Sequence, residues 1–308
     1  MKIRFWGVRG SIPTSDTKTM RYGGDTTCIE IQAGNQLIIL DAGSGVRQLG
    51  RYLIEKARHQ PITGHIFITH THWDHIQGFP FFYPAFVKKN TFIIYGPHYN
   101  QKTLEGIFTD QMKSEYFPIP IDSMASKPEF VSISEETIHV GNVAVSSIYV
   151  NHPGIALGYR VDYDNKSIVF SGDHEPYSFL HNSVQPVIET EINNKTNPAE
   201  LQSTIQKLDQ RLSNFAQDTD MLIFDTAYTY DQYRKSRQGW GHGYPEYAVK
   251  IANQAGAKCL VLTHHDPTDT DILVDAKTLY TRRLIAQQGS NLKCFGAKVG
   301  AEIDLNQQ

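Results

Sequence analysis

Residues 68–78 read I-T-H-T-H-W-D-H-I-Q-G, which puts His70, His72, Asp74 and His75 in one short stretch. Packing seldom gathers imidazoles. Neutral imidazole is a common zinc ligand, and a carboxylate adds a hard oxygen donor. On an extended segment His70 and His72 face the same way, and a turn into helix carries Asp74 and His75 to a neighbouring position. One segment can therefore serve two metal ions a few ångströms apart.

Two ions need further ligands, and candidates stand where apolar runs meet turn residues. They are Asn151-His152-Pro153-Gly154, Ser171-Gly172-Asp173-His174-Glu175, Thr263-His264-His265-Asp266-Pro267 and Asp41-Ala42-Gly43-Ser44-Gly45. Strand ends of this kind gather at one rim of a sheet, where open α/β architectures build their sites. His59, His65, His98, His139 and His181 have no such setting and are read as ordinary surface or packing residues.

The elements that must position these residues follow from periodicity. Apolar runs bounded by turn signals predict strands at 3–6, 28–32, 37–40, 65–69, 92–95, 137–140, 143–150, 157–161 and 167–170. Further strands are expected at 221–224, 259–262 and near 297–303. Helices are expected after Ser44 as N-cap, at 245–254 with Pro245 in the first turn, and at 272–287. Leu201, Ile205, Leu208, Leu212 and Phe215 mark an amphipathic helix inside an insertion at 175–218. A Phe-, Tyr- and Pro-rich segment at 99–126 is expected to cover a cleft. Two packed sheets with outer helices account for this order.

The chain has 308 residues and a formal charge of -3, with charges interspersed, so there is no basic footprint for phosphates and no membrane-surface stripe. No apolar run approaches the ~20 residues of a bilayer span. The start, MKIRFWGVRG, lacks a signal-peptide core, and Cys28, Cys259 and Cys294 are too few and too scattered for a disulfide framework. A cytoplasmic location is expected.

The ordered motifs resemble those of the metallo-β-lactamase-fold hydrolases, whose signature begins His-x-His-x-Asp-His, and the resemblance covers nearly the whole chain. It implies an α/β class fold, a four-layer αβ/βα sandwich, with residues 1–308 as a single domain and a dinuclear site. Carried over by motif, one ion takes His70, His72 and His152, the other takes Asp74, His75 and His264, and Asp173 bridges. Asp74 counts among the catalytic residues as well, and Asp41 orients a ligand histidine. Zinc is the first expectation for the two divalent ions, with manganese or iron as alternatives.

Within that superfamily the chain is most similar to the branch containing ribonuclease Z and the cyclic-phosphate hydrolases. The carriers are 5–13 (FWGVRGSIP), 21–28 (RYGGDTTC), 224–227 (FDTA), 241–243 (GHG) and 262–267 (LTHHDP). The resemblance implies that His242, paired with Asp225, assists phosphoester cleavage as general acid. Two divalent ions supply hydroxide at neutral pH and clamp a phosphate oxygen.

The segment 175–218 lacks the glycine-rich arm usual in ribonuclease Z. It sets Lys195, Lys207 and Arg211 against Glu189, Glu191, Glu200, Asp209 and Asp218. From this the expectation is a small cyclic phosphodiester, a cyclic nucleotide or phosphoribosyl cyclic phosphate, with no nucleic acid polymer favoured and no membrane partner. Aromatic residues at 79–86, 108 and 116–117 offer stacking faces. The alternatives are a transfer-RNA 3′-processing endonuclease and an acyl hydrolase of lactones or thioesters on the same metals. A non-enzymatic sensor would be expected to have lost ligands. The 201–215 helix offers a surface for a homodimer.

Overall fold

The computed structural model describes residues 1–180 and 197–307. The expectations for His181, Glu189, Glu191 and Lys195, and the middle of the insertion at 175–218, lie outside the described residues. The chain divides into two compact units. The first holds Met1–Ser134, His139–Val143 and the stretch from Ala297; the second holds Glu135–Ile138 and Ala144–Gly296.

Fourteen strands occur among the described residues. They are β1 (Lys2–Gly7), β2 (Cys28–Ala33), β3 (Gln36–Leu40), β4 (Thr63–Phe67), β5 (Thr91–Pro97), β6 (Glu129–Ile133), β7 (Thr137–Val140), β8 (Val143–Tyr149), β9 (Leu157–Tyr163), β10 (Lys166–Phe170), β11 (Met221–Asp225), β12 (Cys259–Thr263), β13 (Lys293–Gly296) and β14 (Glu302–Asp304). One mixed sheet runs β14-β1-β2-β3-β4-β5-β6 and the other β13-β12-β11-β10-β9-β8-β7. Helices α1 (Val46–Ala57), α2 (Trp73–Ile76), α3 (Leu104–Gln111), α4 (Pro198–Phe215), α5 (Pro245–Ala255) and α6 (Asp271–Gln287) connect the strands. This is the expected α/β class.

Parallel pairing explains why the polar strand ends collect. In the first unit β3 pairs with β4 in parallel, Leu40 opposite Phe67, so the residues that follow each strand leave the sheet side by side. In the second unit β10, β11 and β12 are parallel neighbours, with Asp225 opposite Thr263. β8 and β10 both run antiparallel to β9, so His152, beyond β8, emerges at the same rim as Asp173. The β9–β10 turn is tight because Asp164 and Asn165 both adopt left-handed φ (52° and 56°), the geometry a two-residue hairpin needs.

Several expectations shift. Ser44 is not the N-cap of α1; Gly45 occupies that position and makes no side-chain cap. The Ser44 hydroxyl is used across the chain, accepting from Thr26 N at 2.9 Å and donating to Asp25 Oδ1 at 2.8 Å. β6 and β13 were not expected. Both are short strands at a sheet edge, and the half-exposed pattern of β6 and the four residues of β13 blur the apolar signal. In the 99–126 segment only α3 and a 3-10 turn at Ile121–Ser123 are regular. Phe79, Phe82 and Phe108 belong to the first unit's core, while Phe81, Tyr83 and Tyr116 are exposed. Among the described residues no helix is long and apolar enough to cross a membrane.

Candidate metal centre

In the first unit the site is built on the turn after β3. Asp41 is fully buried with φ of 61°, a left-handed conformation that a non-glycine residue rarely adopts. Its Oδ1 accepts from Thr69 N at 2.7 Å, and its Oδ2 lies 2.8 Å from His75 Nδ1. The Thr69 hydroxyl contacts both oxygens at 3.0–3.1 Å and His70 Nδ1 at 3.1 Å. A hydroxyl has one proton. Since ionised Asp41 only accepts, Thr69 donates to it and accepts from His70 Nδ1–H, which makes Nε2 the His70 nitrogen that carries the lone pair. The same reasoning leaves a lone pair on His75 Nε2. Burial pushes the Asp41 carboxyl up from its ordinary value, against the opposing pull of His75 and Thr69.

The two remaining members of the motif complete this half. His70 Nε2 is 2.9 Å from His72 Nδ1, and His75 Nε2 is 3.4 Å from Asp74 Oδ2, which also accepts from Ser11 N at 2.7 Å. Gly78 closes the motif because a Cβ there would lie 2.1 Å from Gly43 O; only glycine lets α2 settle against the Asp41 turn.

In the second unit His152 Nδ1 donates to Gly241 O at 2.8 Å, which directs its Nε2 towards Asp173 Oδ2, 4.0 Å away. Asp173 Oδ1 is 3.2 Å from His264 Nε2. His264, like Asp41, holds a left-handed φ, here 56°. Such backbone costs ~1–3 kcal/mol and persists where surrounding contacts demand it. Asp225 Oδ2 takes the Nδ1 of His242 at 2.9 Å and His174 N at 3.2 Å, and Oδ1 takes Ala227 N at 3.0 Å. The ring of His242 stacks on that of His264 at 4.6 Å and 24°.

Donor atoms of Asp173, Asp225, His242 and His264 all lie within 4.8 Å of one another, and all four residues are buried. Carboxylate oxygens facing imidazole lone pairs in a buried setting repel unless a cation or protons intervene. Nδ1–H bonds to protein acceptors are what orient metal-binding histidines, and His75 and His152 are both held in this way, so the donor chemistry fits a divalent ion.

Each unit thus brings together its share of the expected residues: Asp41, His70, His72, Asp74 and His75 in one, and His152, Asp173, Asp225, His242 and His264 in the other. His174 serves the scaffold, its Nδ1 accepting from Asn151 N at 3.1 Å. Arg9 is buried and donates through Nε to Gly23 O at 2.9 Å.

Sequence reading missed Thr69 and Glu175. The buried Glu175 carboxylate accepts from Gly239 N and Gly241 N, both at 2.8 Å, and so holds the loop that orients His152. These pairs are more than sixty residues apart. The only local hint was that Glu175 stands two residues beyond Asp173.

Residues 36–191 match the sequence profile of the beta-lactamase superfamily domain. A ribonuclease Z of Haloarcula marismortui is 23% identical over 288 residues, covering 86% of each chain. A ribonuclease BN of Proteus mirabilis is 23% identical over 333 residues, covering 95% of this chain and all of that one (100%). The crystal structure of the human short-form tRNase Z superposes with a TM-score of 0.60 at 18% identity, over 99% of both chains, a likeness of fold.

These relatives overturn one expectation, that of a small-molecule substrate with no nucleic acid polymer favoured. The physical error lies in reading partner choice from charge totals. A formal charge of -3 for the chain, or an acidic balance in one segment, averages over the surface, whereas phosphate contacts depend on local patches.

Proposed function

Since the chain belongs to the beta-lactamase superfamily, we propose that this metal-dependent hydrolase cleaves phosphodiester bonds in RNA. The carrying observation is the Asp225–His242 pair, 2.9 Å apart and buried beside Asp173 and His264. The ligands assigned to two ions are His70, His72, Asp74, His75, His152, Asp173 and His264, with zinc as the expected metal. Divalent ions, when bound, supply an activated water and offset charge on the phosphoryl oxygens.

The chain's own residues do the rest. Asp41 and Gly241 O hold the rings of His75 and His152 by their Nδ1 atoms, so that Nε2 of each is presented without a search among rotamers. Asp225 is itself pinned by two backbone N–H groups, and it fixes His242 by its Nδ1, so that Nε2 is the nitrogen left to act. From that atom a proton can pass to the departing ribose oxygen, which leaves poorly as an alkoxide. An acyl hydrolase on the same ligands has less need of such an acid.

The test is a substrate panel with purified protein and added zinc or manganese: a precursor transfer RNA, an unstructured RNA, cyclic nucleotides and a thioester. Metal-dependent RNA cleavage abolished by a chelator is expected. Turnover of cyclic nucleotides or the thioester with RNA left intact would refute the proposal.

A further inference from the structure

The loop that carries His242 also carries an exposed tryptophan that the site so far leaves unused. Trp240 is 54% exposed. It is not a loose ring. Its backbone N donates to Arg237 O at 3.2 Å, folding residues 237–240 back on themselves. The glycines on either side, Gly239 and Gly241, have left-handed φ of 84° and 88° and both donate to the Glu175 carboxylate. A Cβ on Gly241 would lie 2.4 Å from His152 Nδ1, so the loop has no room to shift inward.

The neighbours of Trp240 form a row. The Arg237 guanidinium lies 4.3 Å from the Trp240 ring centroid and 5.7 Å from that of Tyr228. The buried Tyr228 ring is in turn 5.8 Å from the His242 ring. An aromatic ring, a cation and a second aromatic ring thus run from the proposed acid to the surface. Arg237 comes from a π-helical turn at Tyr233–Arg237, a form of helix frequent at functional sites. The same turn presents Arg234 and Lys235 to solvent. An indole backed by a guanidinium, with two further exposed cations on the same turn, matches a nucleobase and its flanking phosphates. Stacking takes the base and the cations take the phosphates.

Resting on the RNA reading above, we propose that Trp240 and Arg237 form a subsite on which one nucleobase of the RNA stacks near the scissile phosphate. The subsite would be sequence-tolerant, because every base offers a π-face. It gives the chain a grip on single-stranded RNA without a basic arm.

The experiment compares wild type, Trp240→Ala and Trp240→Phe on a cleavable RNA, on the same RNA with one abasic nucleotide moved through each position, and on methyl p-nitrophenyl phosphate. Metal content is checked in all three proteins. For Trp240→Ala, kcat/KM on RNA should fall by roughly 5- to 150-fold more than on the small ester, the range for losing one base–aromatic stack. Trp240→Phe should recover most of that loss. At one position the abasic substitution should cost the wild type a similar factor and cost Trp240→Ala almost nothing further. Equal losses on RNA and the small ester, or additive losses at every position, would overturn the stacking subsite and leave RNA cleavage standing. Hydrolysis of the small ester with no cleavage of any RNA would overturn the RNA reading and the subsite with it.

Discussion

Replacing His242 separates three roles that its position allows. Its Nδ1 is committed to Asp225 Oδ2 at 2.9 Å, so only Nε2 can give a proton, bind a metal or touch substrate. If Nε2 protonates the leaving ribose oxygen, His242→Ala should lower kcat on RNA by roughly 10²–10⁴-fold, the usual contribution of a general acid. A nucleoside 5′-p-nitrophenyl phosphate releases a stable phenolate and needs little acid help, so its loss should be about 10-fold or less. The ring is buried against His264, so truncation also leaves a void. His242→Asn controls for this: its side-chain amide can still donate to Asp225 while lacking any group at the Nε2 position. Both variants should show the same dependence on leaving group. The assay is steady-state kcat on the two substrates, with bound metal measured by elemental analysis. Equal losses on both substrates with metal intact would make His242 a substrate-binding residue. Loss of metal would refute the acid role and place His242 among the ligands, a role its nearness to Asp173 and His264 leaves geometrically open.

Other outcomes follow from the same structure. Wild-type protein should carry about two divalent ions per chain, and Asp173→Ala should lose both together with activity; full occupancy in that variant by elemental analysis would end the bridging assignment. Gly241→Ala, whose Cβ would collide with His152 Nδ1, should weaken metal binding by roughly 10- to 100-fold as the His152 ring is displaced; unchanged affinity in a chelator competition would show that the loop can yield. Burial raises the Asp220 carboxyl, but the Lys258 hydrogen bond, Ser167 N–H and the charge of Lys166 outweigh it and hold the group below its ordinary value of 3.8. A depressed folded value means stability that is present above that pH and lost as pH falls through the folded value. Asp220→Asn should therefore unfold more easily than wild type at pH 7, and the gap in Tm should close in acid; a gap that persists undiminished at the lowest pH would contradict the pairing. Burial pushes the Cys259 thiol up to about 11 and the Cys294 thiol to about 12, and Cys28 is also raised. All three should resist alkylation near neutral pH until the chain unfolds, as mass spectrometry can show.

Candidate ligands could be picked out because metal chemistry needs particular side chains, and strands advertise their ends. Runs such as 37–40 and 259–262 are buried on both faces, so they read as unbroken apolar stretches that stop at a polar residue. The helix at 245–255 was readable from Pro245 and its apolar face. Ser44 misled because its hydroxyl serves Thr26 and Asp25, partners invisible to local capping rules. Substrate choice misled because composition counts charges without locating them.

By itself, then, the order of residues pointed to a cluster of metal-type donors, two packed sheets and the polar residues that end the core strands, since these rest on periodicity and donor type. The hydrolase class and the four-layer fold came from the resemblance of its motifs. Tertiary structure alone decided which nitrogen of each ring is presented. That depends on Asp41 reaching His75 and Thr69, and Gly241 O reaching His152, from segments distant along the chain. It decided that Asp41 and His264 sit in left-handed backbone, a strain that no propensity predicts and only surrounding contacts sustain. It also set Trp240 in a glycine-flanked loop held by Glu175, because a bond between residues 64 apart leaves no periodic trace in the chain.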